Sequence, residues 1–182
     1  MGEIVPIRSH AILDLLYDGF GDVPATLVRT RAGRELSRAR YHTAETFFAP
    51  IEHQFPQPLE DTLYRAGIVA QLGLSSHLID VGFADAWCAR HVGLCVADAL
   101  AYSNATGLGH DSPDMARLAE VLTPYWKWNS VHLWDAPTPD DGGFTEEQIR
   151  ALLRALLDRV YDVTGHPRPK KWAASSNQGG RS

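Results

Sequence analysis

The sequence predicts an all-α fold: a single domain over residues 1–165, built as a bundle of five or six helices, with a polar basic tail over 166–182. Three observations predict it. Apolar residues recur at helical spacing through most of the chain. Capping residues stand where those periodic segments begin and end. And the stretch Phe83–Tyr102, FADAWCARHVGLCVADALAY, has only Asp85, Arg90 and Asp98 as charged residues, so it is expected to be the buried central helix of the bundle, at about 83–103.

Taken in order, Ser9 is placed to cap a first helix carrying Ile12, Leu15, Leu16 and Phe20, stopped at Gly21. A second helix is expected from about Thr30 to Ala49, with Leu36, Ala39, Thr43 and Phe47 as its apolar arc and Pro50 ending or bending it. The segment FPQPL reads as a turn, and a third helix from about Leu59 carries Leu63, Ala66, Ala70 and Leu74, with a short continuation starting near Ser75 or Ser76. After the central helix, NATGLGHDSP is a loop. Ser112 then caps a helix with Pro113 at its first position and Met115, Leu118, Val121, Leu122 and Tyr125 as its apolar face. WNSVHLWDAPTPDDGG is irregular, with SVHLW as a short strand at most. The last helix has the clearest limits. Thr145 and Gln148 form a capping box, Ile149, Leu152, Leu153, Leu156 and Val160 face inward, and Gly165 closes it.

Composition narrows the function classes. The net charge is −5, which gives no general attraction to nucleic acid or to an anionic membrane. No run has the length of a membrane span, and MGEIVPIRSH lacks the apolar region of a secretory signal. Cys88 and Cys95, seven residues apart on one expected helix, stand about 10.5 Å from each other, too far for a disulfide. The expectation is a reduced, cytoplasmic protein. No phosphate-binding loop, dinucleotide fingerprint, nucleophile elbow or Cys-x-x-Cys pair is present.

Four groups of residues carry possible chemistry. On the central helix, Ala84, Trp87, Cys88, His91, Leu94, Cys95, Asp98 and Tyr102 share one side. His91 and Asp98 would be polar groups in an apolar place, able to converge on one ligand or metal, and are the candidate catalytic residues. Cys88, His91 and Cys95 cannot all reach one ion from a straight helix. The eight histidines include two His-x-x-acid pairs, His42 with Glu45 and His77 with Asp80, a spacing that can hold a metal from one helix face. The second helix bears an arginine stripe, Arg31, Arg34 and Arg38, with Arg29 and Arg40 nearby. Such a stripe can grip phosphates or carboxylates, whereas Glu35 could simply pair with Arg31 and Arg38. Finally Tyr125, Trp126, Trp128 and Trp134, with His132, could wall a pocket or an interface, or lid a small core.

The fragment RHVGLCVADALAYSNATG resembles the first-histidine helix of HD-domain phosphohydrolases, all-α metal-dependent enzymes whose signature includes a His-Asp pair; His110-Asp111 is such a pair. Here the pair is followed by Ser-Pro in a glycine-bearing loop, where the family's pair ends an apolar helix. The likeness covers under a third of the chain, and the family is not assigned on it.

Two functions follow as expectations. The leading one is a non-catalytic helical binding or assembly subunit. It would contact a protein partner, another copy of itself or a small anionic ligand through Arg31, Arg34, Arg38, Trp126, Trp128, Trp134 and the tail. The other is a metal-dependent helical hydrolase using His91 and Asp98, with His77, His110 or Asp111 as further ligands of a divalent metal.

Overall fold

The computed structural model describes residues 27–131 and 137–169, together with the backbone of 3–4. It is an all-α helical bundle. Among the described residues the elements are a two-residue antiparallel strand pair, β1 (Glu3–Ile4) with β2 (Val28–Arg29), then α1 (Arg31–Glu52), α2 (Leu59–Val81), α3 (Asp85–His91), α4 (Val96–Ala105), α5 (Pro113–Leu122), a 3-10 helix (Tyr125–Ser130) and α6 (Glu146–Thr164). The helix expected at 12–20 and the residues His132–Trp134 lie outside the described residues. Ser130 and Val131, the start of the segment read as irregular with a short strand as one option, close the 3-10 helix. No described helix is long and apolar enough to cross a membrane.

The centre of the bundle is α2. It packs against α1, α4, α5, α6 and the 3-10 helix, and fifteen of its residues are buried. Its surface explains why. Ala66, Gly67, Ala70, Gly73, Ser75 and Ser76 are small, so neighbouring helices approach from several sides. The closest approach is at Gly67, where a Cβ would stand 2.0 Å from Tyr125 Cβ of the 3-10 helix. Glu60 and Asp61 in the first turn suit the positive end of the helix. Gly82 ends it in the left-handed region (φ 116°), and β2 crosses so near that a Cβ there would be 2.7 Å from the Val28 amide nitrogen.

The single central helix expected over 83–103 is instead two helices. The chain breaks between His91 and Val96, at a turn where Gly93 takes a φ of 56°. Cys95 restarts the helix, its Sγ accepting from the Asp98 amide at 3.4 Å. The break lets Cys88 and Val92 of one turn and Val96, Ala99, Leu100 and Tyr102 of the next face the same core, while Arg90 stays outside and Leu94 is 45 % exposed. The cysteines are free thiols, Cys88 buried and Cys95 partly so.

The other helices begin as the sequence reads. Thr30 Oγ1 accepts from the Gly33 amide, Ser112 Oγ from Met115, and Thr145 and Gln148 exchange both capping-box hydrogen bonds. Gly165 closes α6 in the left-handed region. Helix α1 runs on through Pro50 to Glu52, and its buried face is Ser37, Tyr41, Ala44, Phe48 and Ile51, one position round from the expected arc. Ala39 and Thr43 are exposed and Leu36 is 38 % exposed. The reason is that Ser37 and Tyr41 turn polar atoms inward to specific partners, so two residues that look like a solvent face belong to the core. On α6, Ile149, Leu153, Leu156 and Val160 are fully buried, each contributing about 1.5–3 kcal/mol by leaving water.

Candidate functional site

The end of α2 carries a cluster of buried polar residues. Ser76, His77 and Asp80 are all buried there. Asp80 joins both ends of the described chain to the central helix. Its Oδ2 accepts from Arg29 Nη2 at 2.8 Å, its backbone carbonyl from Arg29 Nε at 2.9 Å, and its Oδ1 lies 3.7 Å from His166 Nε2. His166, expected to open the tail, is 1 % exposed. Its Nε2 is 2.6 Å from Ser37 Oγ. Ser37 Oγ is also 2.7 Å from the Ser76 carbonyl, and Ser76 Oγ donates to the Ser37 carbonyl at 2.8 Å. With the Ser37 hydroxyl proton given to the Ser76 carbonyl, His166 donates from Nε2 and Ser37 Oγ accepts. Burial pushes the His166 pKa down, against the opposing pull of Asp80, and Arg34, Arg38 and His42 push it further down.

Serine, histidine and aspartate are thus together, but not as a nucleophilic triad. A triad needs the carboxylate on Nδ1 and the hydroxyl on Nε2. Here Ser37 and Asp80 both face Nε2. The arrangement holds chain segments together.

His77 is 3 % exposed, with Nε2 3.3 Å from Thr106 Oγ1. Burial drives its pKa to about 4, so the ring is neutral. A second charged group flanks the cluster. Glu45 accepts from Arg154 Nη1 at 3.0 Å and Nη2 at 2.6 Å and from Tyr41 Oη at 2.7 Å. Burial alone would raise the Glu45 pKa, but these hydrogen bonds bring it below its ordinary value.

The arginine stripe is divided. Arg31 is exposed and bonds Glu35 at 3.0 Å. Arg34 is exposed and donates from Nη2 to the Thr164 carbonyl at 3.3 Å. Arg38 is exposed and, among the described residues, has no hydrogen bond or ion pair; Glu35 is not its partner. Residues 164–168 run beside this face, with His42 Nε2 2.8 Å from the Pro167 carbonyl and Arg168 paired to Asp158 and set over the Tyr161 ring. Arg29 and Arg40 leave the stripe, Arg29 for Asp80 and Arg40 for Asp85.

The candidate metal and catalytic residues are spread out. His91 ends α3, half-exposed, stacked on Trp87 with ring centroids 4.8 Å apart. Asp98 is half-buried in the first turn of α4. His77 lies inside the bundle, and His110 and Asp111 lie in the loop after α4, where Asn104 Oδ1 accepts from the His110 amide at 2.9 Å. Burial, helped by Arg159, lowers the His110 pKa. Among the described residues no three His, Cys, Asp or Glu side chains are grouped to hold a metal ion.

Of the aromatic group, Trp126 is 46 % exposed, Trp128 is 2 % exposed and part of the core, and Trp134 is outside the described residues. Trp128 forms one wall of a cleft of about 710 Å³ that it shares with Thr123, Pro124, Lys127 and Pro137–Pro139.

Comparison with protein-family profiles, with curated proteins and with solved structures finds no match to this chain.

The sequence alone does not bring out Ser37, Ser76, Arg154 or His166. The available signal was a cluster of polar residues, Ser75 to His77 and Asp80, inside an otherwise apolar helix. Such groups require partners, and here the partners come from distant segments.

Proposed function

We propose that the chain is a non-catalytic helical binding subunit that takes an acidic protein segment on the Arg34–Arg38 face of α1. One observation carries the reading. Arg34 and Arg38 stand one turn apart on an exposed face, and neither has a carboxylate partner among the described residues. Among the described residues Arg29, Arg31, Arg40, Arg117, Arg154 and Arg168 each have one. Arg65, Arg90, Arg150 and Arg159 do not, but none of these stands one turn from another such arginine on its helix. Two guanidinium groups about 6 Å apart along a helix suit carboxylates spaced along a peptide, each able to accept two parallel hydrogen bonds. The chain beyond Pro169 adds Lys170 and Lys171 in sequence.

The test is fluorescence anisotropy of labelled poly-L-glutamate with the full chain. Binding should weaken with salt, and Arg34→Ala/Arg38→Ala should cost about tenfold or more, from the loss of two charge-assisted contacts. Equal binding by the double variant would overturn the reading. The metal-dependent hydrolase reading would need His91 and Asp98 to share a ligand, and the break at Gly93 puts them on different helices.

A further inference from the structure

A second place in the bundle has the makings of a small-molecule site, on another side of α1. Arg40 is two residues beyond Arg38, so it points roughly 160° away around the helix. There a cavity of about 200 Å³ opens between α1, α2, α3 and α4. Its polar lining is Arg40, Gln71, Ser75, Asp85 and Cys88. Its apolar lining includes Leu78, Val92 and Ala99, all buried, and Leu94 at the Gly93 turn.

The charges at this cavity are a matched pair with capacity to spare. Arg40 Nη2 donates to Asp85 Oδ1, which is the one hydrogen bond Arg40 makes among the described residues. A guanidinium carries five N–H donors and a carboxylate about four acceptor positions, so both retain unused sites. The Arg40 side chain is 21 % exposed and that of Asp85 49 %. The pair is wet enough to open at little cost. The Gln71 amide has no hydrogen-bond partner among the described residues, and Ser75 Oγ donates to the Leu72 carbonyl while keeping its lone pairs.

We propose that this cavity binds a free amino acid with an apolar side chain. A ligand of one charge would take one member of the Arg40–Asp85 pair and strand the other. A zwitterion inserted between them replaces one ion pair by two, carboxylate to Arg40 and ammonium to Asp85. The side chain then lies against Leu78, Val92 and Ala99. Size agrees: about 200 Å³ is the liquid share of six or seven waters, which suits a leucine-sized molecule of about nine non-hydrogen atoms. The Cys88 thiol in the wall is inert, since burial pushes its pKa up to about 11.

The test uses isothermal titration calorimetry on the full chain with L-leucine, N-acetyl-L-leucine, L-leucinamide and glycine. Saturable one-to-one binding of leucine is expected, with each of the other three weaker by about tenfold or more, because each lacks one of the three contacts. Ala89 lines the cavity from an exposed position of α3, so Ala89→Trp should block binding without a change in the helical circular dichroism melt. Arg40→Gln should also lose binding. No saturable leucine binding would overturn the proposal. So would N-acetyl-leucine binding as well as leucine, or undiminished binding by Ala89→Trp. None of these results touches the Arg34–Arg38 reading, whose probe and residues are different.

Discussion

Replacing His77 should change how the protein responds to acid. The ring is buried, its pKa falls from an ordinary 6.5 to about 4, and it is neutral in the folded state. The unfolded chain exposes it with its ordinary value, so between those two values the unfolded state binds the extra proton. Stability therefore rises with pH in this window and falls as pH drops through 6.5. Each pH unit is worth about 1.4 kcal/mol for one such group, so from pH 6.5 to pH 5 His77 alone should cost the native state about 2 kcal/mol. His166 and His110, also shifted down, act in the same direction. Glu45, shifted down as a carboxylate, matters only below its ordinary 4.5 and stays out of the window. The assay is urea unfolding followed by circular dichroism at pH 7.5, 6.5, 5.75 and 5. His77→Gln keeps a polar group near Thr106 but cannot titrate. It should be less stable than the parent at pH 7.5, yet its stability should fall by about 2 kcal/mol less between pH 6.5 and 5. Equal acid slopes in the two proteins would refute the placement of His77 as a buried neutral ring.

Three further outcomes follow from packing. Gly67→Ala drives a methyl into Tyr125 and should cost about 2–3 kcal/mol despite the better helix propensity of alanine, lowering Tm by about 5–10 °C; an unchanged Tm would contradict the close approach. Asp80→Ala leaves Arg29 and His166 without their shared carboxylate and should cost about 3 kcal/mol, with faster proteolysis at Gly165–Pro169 as the second readout; a resistant segment would contradict its anchoring role. His91→Ala, on a half-exposed ring stacked on Trp87, should cost about 1 kcal/mol or less, where a ring inside a central helix would cost about 2–4; a thermal melt separates the two.

Helix limits were legible in the sequence wherever a local hydrogen bond sets them. Thr30, Ser112, the Thr145–Gln148 box and Gly165 each act within a few residues of themselves. The choice of central helix was not legible. Phe83–Tyr102 is apolar enough for the centre, but Gly93 breaks it, and a lone glycine in a helical pattern does not announce a turn. Helix α2 takes the centre because Gly67, Gly73, Ser75 and Ser76 are small, a property that periodicity of large apolar residues undervalues. The arginine stripe was visible, but not which of its members stay unpaired. That depends on Asp80 and Asp85, which lie on other elements and come close to Arg29 and Arg40 only in the folded chain. The buried polar cluster is missed for the same reason: Ser37, Ser76 and His166 look like surface residues until they meet.

The central claim is that an acidic segment lies on the Arg34–Arg38 face, and amide mapping by 15N NMR during titration with poly-L-glutamate tests it most directly. The predicted result is saturable shift changes concentrated between Arg34 and His42 and over Gly165–Arg168, which run side by side, all lost at high salt. Shifts scattered over the surface, or centred on another basic residue such as Arg90 or Arg117, would contradict it.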